Sequence, residues 1–185
     1  MKKFYSYLMM ALMALTSTTL FTGCDKDEME AWTLDGTWTG YIESYYRDRW
    51  GISGDYYRTT MFFDKRGTYG GTGYEVDYST RNRYVDYYYC EFDWTVVNGE
   101  IRIRYADSWD DVYIYDYRLN SRYFEGYMDD GTHRDIYFNL QSDNDFDWDG
   151  YRRRYRYAPT RGMNDDGKRF HASGIFAEIK KEASK

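Results

Sequence analysis

The chain is short of the residues that staple, coordinate and catalyse. Its 185 residues include two cysteines, two histidines and one proline. Cys24 closes an apolar N-terminal segment, which leaves Cys90 alone, and a lone cysteine has no intramolecular partner. Disulfides therefore do not staple this fold. Cys90 alternates with Phe92 and Trp94, the setting of a buried small hydrophobe rather than a reactive thiol. Zinc requires clustered histidine and cysteine ligands, and neither His133 nor His171 lies in such a cluster. Nucleophilic catalysis requires a nucleophile, a base and an orienting group. No such set is legible, so no catalytic residue, metal or cofactor is assigned and the chain is read as a non-enzyme. Carboxylates are abundant, but acids scattered over strands are as a rule solvated faces. A glycosidase pair such as Glu43 and Glu91 would depend on their separation in space.

An excess of basic charge is missing as well. Lysine and arginine number 25 against 31 acids; without residues 1–23, which carry Lys2 and Lys3, the balance is 23 against 31, a net charge of −8. Nucleic-acid binding needs a net basic footprint, so that class of partner is excluded. The acidity reads as solubility and mutual repulsion at a crowded surface. Nor is there an apolar run long enough to span a bilayer, which takes about 20 residues as a helix. Leu8 to Leu20 is shorter, and Thr16-Ser17-Thr18-Thr19 interrupts it. With Met1-Lys2-Lys3 in front and small residues at its end, this segment has the layout of a secretory signal.

Leu20-Phe21-Thr22-Gly23-Cys24 resembles the lipobox of bacterial lipoproteins. That family prefers Leu three residues before the cysteine, where this chain has Phe21, with Leu20 one step further out. The resemblance implies that residues 1–23 are removed and that the Cys24 thiol is acylated, tethering the mature chain to a membrane through residues 24–33. Two or three acyl chains make such anchoring stable, since each buried CH₂ contributes about 0.8 kcal/mol. Asp25-Lys26-Asp27-Glu28 is similar to the Lys-plus-acidic export signal of some Gram-negative bacteria. The expectation is a lipid-anchored protein of the outer membrane, displayed on its outer face.

What the chain has in quantity is aromatic residues, 22% in all, with 24 tyrosines. Disordered chains are depleted in aromatics, whereas tyrosine fits a pleated, half-buried surface. The expected class is all-β. Trp38, Gly40 and Ile42 alternate with Thr37, Thr39, Tyr41 and Glu43, the period of a half-buried strand, from Gly36 to Tyr46. Trp50 to Asp55 reads as a connection and Tyr56 to Phe63 as the second strand. In the glycine-rich stretch Gly67 to Tyr78, the glycines read as bends in a curved strand, because no helix follows to make a phosphate loop. Asn98-Gly99 is the strongest two-residue hairpin signal. It pairs Val96 with Ile101, Trp94 with Ile103 and Phe92 with Tyr105, so turn type and hydrophobic pattern agree on one register. Asp111 to Leu119 and Tyr123 to Met128 turn at Asn120-Ser121. At Asp129-Asp130-Gly131 a two-residue turn would set Phe124 against Tyr137. A type I turn with a bulge and left-handed Gly131 pairs Phe124 with Ile136 and is preferred.

About eight sequential strands with one apolar face close most economically as an antiparallel up-and-down barrel, which removes exposed edges. An open two-sheet sandwich is the alternative. The Gly36-Thr37-Trp38 start and the meander ending near Leu140 resemble the lipocalin-like small lipoproteins, over residues 34–140. Residues 141–185 form a charged tail. Asp145, Asp147, Asp149 and Gly150 match the opening of an EF-hand loop, but its twelfth position needs a bidentate Glu and here is Arg156. A hairpin around Asp149-Gly150 instead pairs Asp147 with Arg152, Asp145 with Arg154 and Asp143 with Arg156. Phe170 to Lys181 fits a strand or a helix.

Binding is the favoured function class. Trp50, Trp109 and Trp148 fall near connections, where ligand contacts usually live, and are the ligand-binding candidates. Two readings stay open, because an eight-stranded barrel can hold one small ligand or be filled by its own side chains. One is a lipocalin-like carrier of a small apolar molecule or glycan. The other is a surface structural or protein-interaction lipoprotein with a packed barrel. Gly40, Gly126 and Cys90 on inward faces favour space; Trp38, Phe92, Trp94 and Phe124 favour filling.

Overall fold

The computed structural model describes residues 24–48, 51–80, 85–108, 111–132, 134–152, 162–163, 169–171 and 173–183. The strands are β1 (Gly36–Asp48), β2 (Gly51–Lys65), β3 (Gly70–Ser79), β4 (Tyr87–Val97), β5 (Glu100–Tyr105), β6 (Asp111–Leu119), β7 (Tyr123–Asp129) and β8 (Asp135–Ser142). Each pairs antiparallel with the next, and the first pairs with the last, from Trp38 opposite Ser142 to Tyr45 opposite Asp135. The β3–β4 ladder, Gly70 opposite Thr95 to Asp77 opposite Tyr88, completes the ring. The sheet is therefore a closed eight-stranded up-and-down barrel, and the sandwich alternative falls.

Turn chemistry explains the best-read hairpin. Asn98 and Gly99 take φ of 55° and 74°, the left-handed pair that a tight β4–β5 turn needs. Val96 lies opposite Ile101, Trp94 opposite Ile103 and Phe92 opposite Tyr105, the register expected. The glycine-rich stretch is a strand in which side chains would collide. A Cβ on Gly73 would lie 2.2 Å from the Phe92 ring, and one on Gly71 1.9 Å from the Asp64 carbonyl oxygen. In β6 a bulge between Tyr115 and Arg118, with Asp116 at φ 47°, turns Tyr117 and Leu119 back towards the core.

Four local expectations are corrected. The second strand begins at Gly51, opposite Asp48, so residues 51–55 belong to the sheet and not to a connection. The β7–β8 register places Phe124 opposite Leu140 and Met128 opposite Ile136, four residues away from the pairing of Phe124 with Ile136. Gly131 does take the left-handed conformation, at φ 78°. However, Asp129 and Asp130 accept bonds from the Gly131 and Thr132 amides at 2.8 and 2.9 Å, and these side-chain turns lengthen the loop. Residues 149–152 form a helical turn, with the Arg152 amide donating to the Trp148 carbonyl at 3.1 Å. The Asp149-Gly150 hairpin does not form, and Arg154 and Arg156 lie outside the described residues.

The fourth correction concerns the tether. Cys24–Leu34 is a helix, α1, whose early acids Asp27 and Glu28 suit the positive end of its dipole. Ala31 and Leu34 are fully buried against the barrel. Trp38 Nε1 donates to the Leu34 carbonyl at 2.8 Å. The Asp27 carboxylate accepts the Asn98 and Gly99 amides at 2.7 and 2.9 Å, and Tyr117 donates its hydroxyl to Glu30 at 2.7 Å. At the opposite end the chain supplies both a strand and a helix where one or the other was expected. After a short β9 (Gly162–Met163), β10 (Arg169–His171) runs parallel to β4, and α2 (Ile175–Ala183) buries Ile175, Phe176 and Ile179.

Candidate functional site

The lumen is filled by rings. Phe63 on β2 lies 5.3 Å from the ring of Phe92, 5.5 Å from Trp94 and 6.3 Å from Phe124 on β7. Phe124 in turn meets Phe138 at 4.7 Å and Trp38 at 5.7 Å. Since β2 and β7 are separated by β1 and β8 around the wall, these contacts cross the interior. Edge-on packing of this kind is worth about 0.5–1.5 kcal/mol per pair beyond the area buried.

Towards α2 the interior turns polar. Glu75 and Asp77 project inward from β3 and are fully buried. Asp77 accepts from the Thr59 hydroxyl at 2.6 Å, Glu75 accepts from the Tyr105 hydroxyl, and the two carboxyl groups are neighbours. Burial pushes Glu75 up to about 7, against the lowering effect of its Tyr105 and Asp77 bonds. Burial, then the charge of Glu75, raises Asp77 well above the usual carboxylate range. Both side chains therefore favour the protonated form more than an exposed carboxyl does. Cys90 lies opposite Glu75, and burial, then Glu75, raises its thiol far above reactivity. Asp55 and Arg134 form a buried ion pair at 3.7 Å. The α2 end seals this region: Phe176 packs on Tyr105 at 5.3 Å, and the Gly174 amide donates to Asp107 at 3.0 Å.

The expected binding tryptophans do not converge. Trp50 and Trp109 lie outside the described residues, as does His133. Trp148 is half-buried on the outside of the barrel, donating to Thr37 Oγ1 at 3.1 Å and packing against Phe146, Phe62 and Tyr74. It covers a second apolar cluster that includes Val76, Tyr87 and Tyr89 on the outer faces of β3 and β4. His171 bonds Ser173 and meets the Tyr88 ring edge-on. Glu43 and Glu91 face outward on β1 and β4 with two strands between them, so the structure does not bring that pair together. Among the described residues no group of histidine, cysteine or carboxylate side chains is placed to hold a metal.

One surface was not anticipated. Tyr56, Tyr41, Tyr137, Tyr127 and Tyr115, from β2, β1, β8, β7 and β6, touch in sequence with centroid separations of 5.5, 6.4, 5.6 and 6.2 Å. The signal for it was in the chain, as outward tyrosines on consecutive strands, but only strand order and register make them neighbours.

Fold and sites define a closed eight-stranded antiparallel barrel with a packed interior. No family model, curated protein or solved structure matches the chain.

Proposed function

We propose that the protein is a lipid-anchored lipoprotein of the bacterial outer membrane, displayed on the cell surface, whose barrel is a rigid body that binds through its outside rather than a carrier. The observation that carries this reading is the set of rings meeting across the lumen, Phe63 with Phe92, Trp94 and Phe124, where a carrier would keep its cargo. Anchoring rests on Leu20-Phe21-Thr22-Gly23-Cys24. Because α1 begins at Cys24 and docks on the barrel, acylation there would hold the α1 end of the barrel at the membrane. The opposite end of the barrel, where β1 and β2 meet at Asp48 and Gly51, would then point outward.

Two measurements test it. Cells fed an alkyne fatty acid should label the wild-type chain and leave Cys24→Ala unlabelled. Native mass spectrometry of the mature chain purified from its own host should give the mass of the acylated polypeptide alone. A discrete co-purifying lipid or other apolar mass, lost on unfolding, would restore the carrier reading.

A further inference from the structure

The tyrosine wall combines two properties that rarely occur together on a surface with nothing to bind. Three of its five rings are exposed, Tyr56, Tyr115 and Tyr127 at 43, 41 and 44%, with neighbouring Tyr45 at 41%, while Tyr41 and Tyr137 are half-buried. They are also contiguous, whereas the ordinary exposed hydrophobic is solitary. Five adjacent strands spaced about 4.8 Å apart make the row about 19 Å long, the reach of a short oligomer rather than a single small molecule.

The polar groups between the rings decide what the row can hold. Glu43 accepts the Tyr45 hydroxyl. Glu125 accepts the Tyr137 hydroxyl at 3.4 Å and the Asn139 amide at 3.3 Å, and pairs with Arg118 at 3.6 Å. The Glu43 and Glu125 carboxylates are thus engaged by neutral donors and, at Glu125, by Arg118, and a cationic polypeptide would have to break those contacts. An anionic polymer would meet the same carboxylates as repulsion. Burial, with Tyr137 and Glu43 adding to it, keeps the Tyr41 phenol above its ordinary range, and burial followed by Asp129 does the same for Tyr115. The Tyr41 and Tyr115 hydroxyls therefore stay neutral, and a phenol hydroxyl serves as both donor and acceptor. Ring faces bordered by uncharged hydroxyl, amide and carboxylate acceptors match a sugar ring, which has an apolar C–H face and a rim of hydroxyls.

We propose that the outer wall of β2, β1, β8, β7 and β6 binds an uncharged glycan chain laid across the strands on Tyr56, Tyr41, Tyr137, Tyr127 and Tyr115. This deepens the reading that binding occurs on the outside of the barrel and rests on it.

The test is calorimetric titration of the full mature chain with cellohexaose, laminarihexaose, xylohexaose and maltohexaose, beside polylysine as a cationic control. At least one hexasaccharide should bind. Tyr127→Ala and Tyr137→Ala should each weaken it about tenfold, the effect of losing one stacking contact, while Trp148→Phe, which lies outside the row over Phe62 and Tyr74, leaves it unchanged. Tyr137→Phe, which keeps the ring, should retain most of the affinity. Melting temperatures of all variants, expected near wild type, exclude unfolding as the cause. No binding by any hexasaccharide, binding indifferent to Tyr127 and Tyr137, polylysine binding in its place, or self-association abolished by the same variants would each overturn the proposal. None of these outcomes touches the labelling and mass measurements above, so the glycan and the packed, anchored barrel fail separately.

Discussion

The two halves of the barrel interior are built on different principles. Under α1 the lumen is aromatic: Trp38, Phe63, Phe124 and Phe138 are each at most 2% exposed and touch one another. Under α2, strands β2, β3 and β5 bring in Thr59, Glu75, Asp77 and Tyr105, held by hydrogen bonds from Thr59 to Asp77 and from Tyr105 to Glu75. The aromatic half gains from every ring it buries. Apart from Asp111, the polar half sets the pH response: burying paired acids costs stability unless they are bonded and partly protonated. A barrel that must only be filled does not require the second half, so the contrast separates a part that stabilises from a part that titrates.

The largest blow to that contrast comes from the aromatic side. Phe63→Ala should cost about 3–5 kcal/mol in urea unfolding, because the ring at the centre of the lumen cannot be replaced by collapse of its neighbours. A loss under about 1 kcal/mol would show that the half is loosely packed after all.

Next comes the titrating half. Glu75 has a folded value near 7, above its unfolded value, so the folded state binds more protons through that window. Its effect on stability is neutral below the unfolded value, and stability falls as pH rises from about 4.5 to about 7. Glu75→Gln removes the titration. It should be more stable than wild type at pH 8 by on the order of 2 kcal/mol and flatter between those limits. Equal pH slopes for the two proteins in thermal melts would refute the assignment.

A smaller effect tests how α1 closes its end. Asp27→Ala removes the acceptor for the Asn98 and Gly99 amides and should cost about 1 kcal/mol. Amide exchange should quicken first in α1 and the β4–β5 turn. Smallest of all is Asp111, held down to about 2 by bonds from Arg104 and Arg102. Lowered acids stabilise above their unfolded value and lose that contribution as pH falls through the folded one. Here the pairing is exposed, so Asp111→Asn should produce a slight change at low ionic strength that vanishes in concentrated salt.

Legibility followed locality. β4 and β5 were readable because two independent signals, the Asn98-Gly99 turn and the alternation of Phe92, Trp94 and Val96, point to one register. The inward acids were not. In β3 the apolar residues Tyr74, Val76 and Tyr78 look like the core face, yet they pack outward beneath Phe146, Trp148 and Tyr151. Glu75 and Asp77 take the lumen. A strand covered on both sides loses the alternation that would reveal its orientation. α1 was missed because only Ala31 and Leu34 mark its buried face, too few for a helical period to emerge. The β7–β8 register was missed because Asp129 and Asp130 extend the loop through side-chain bonds that the Gly131 signal does not report.

By itself the sequence determined an all-β meander of about eight strands, the inward set Trp38, Ile42, Phe92, Trp94 and Ile103, and the β4–β5 pairing. Those features depend on neighbours within a turn or a strand, where backbone sterics and a two-residue period act directly. Only the tertiary structure decided between barrel and open sandwich, folded an expected tether into a helix over one end, set two acids in the interior, and joined five tyrosines into one wall. Each of those requires residues far apart in the chain to be adjacent, and a side chain's preference for burial does not say which surface will bury it.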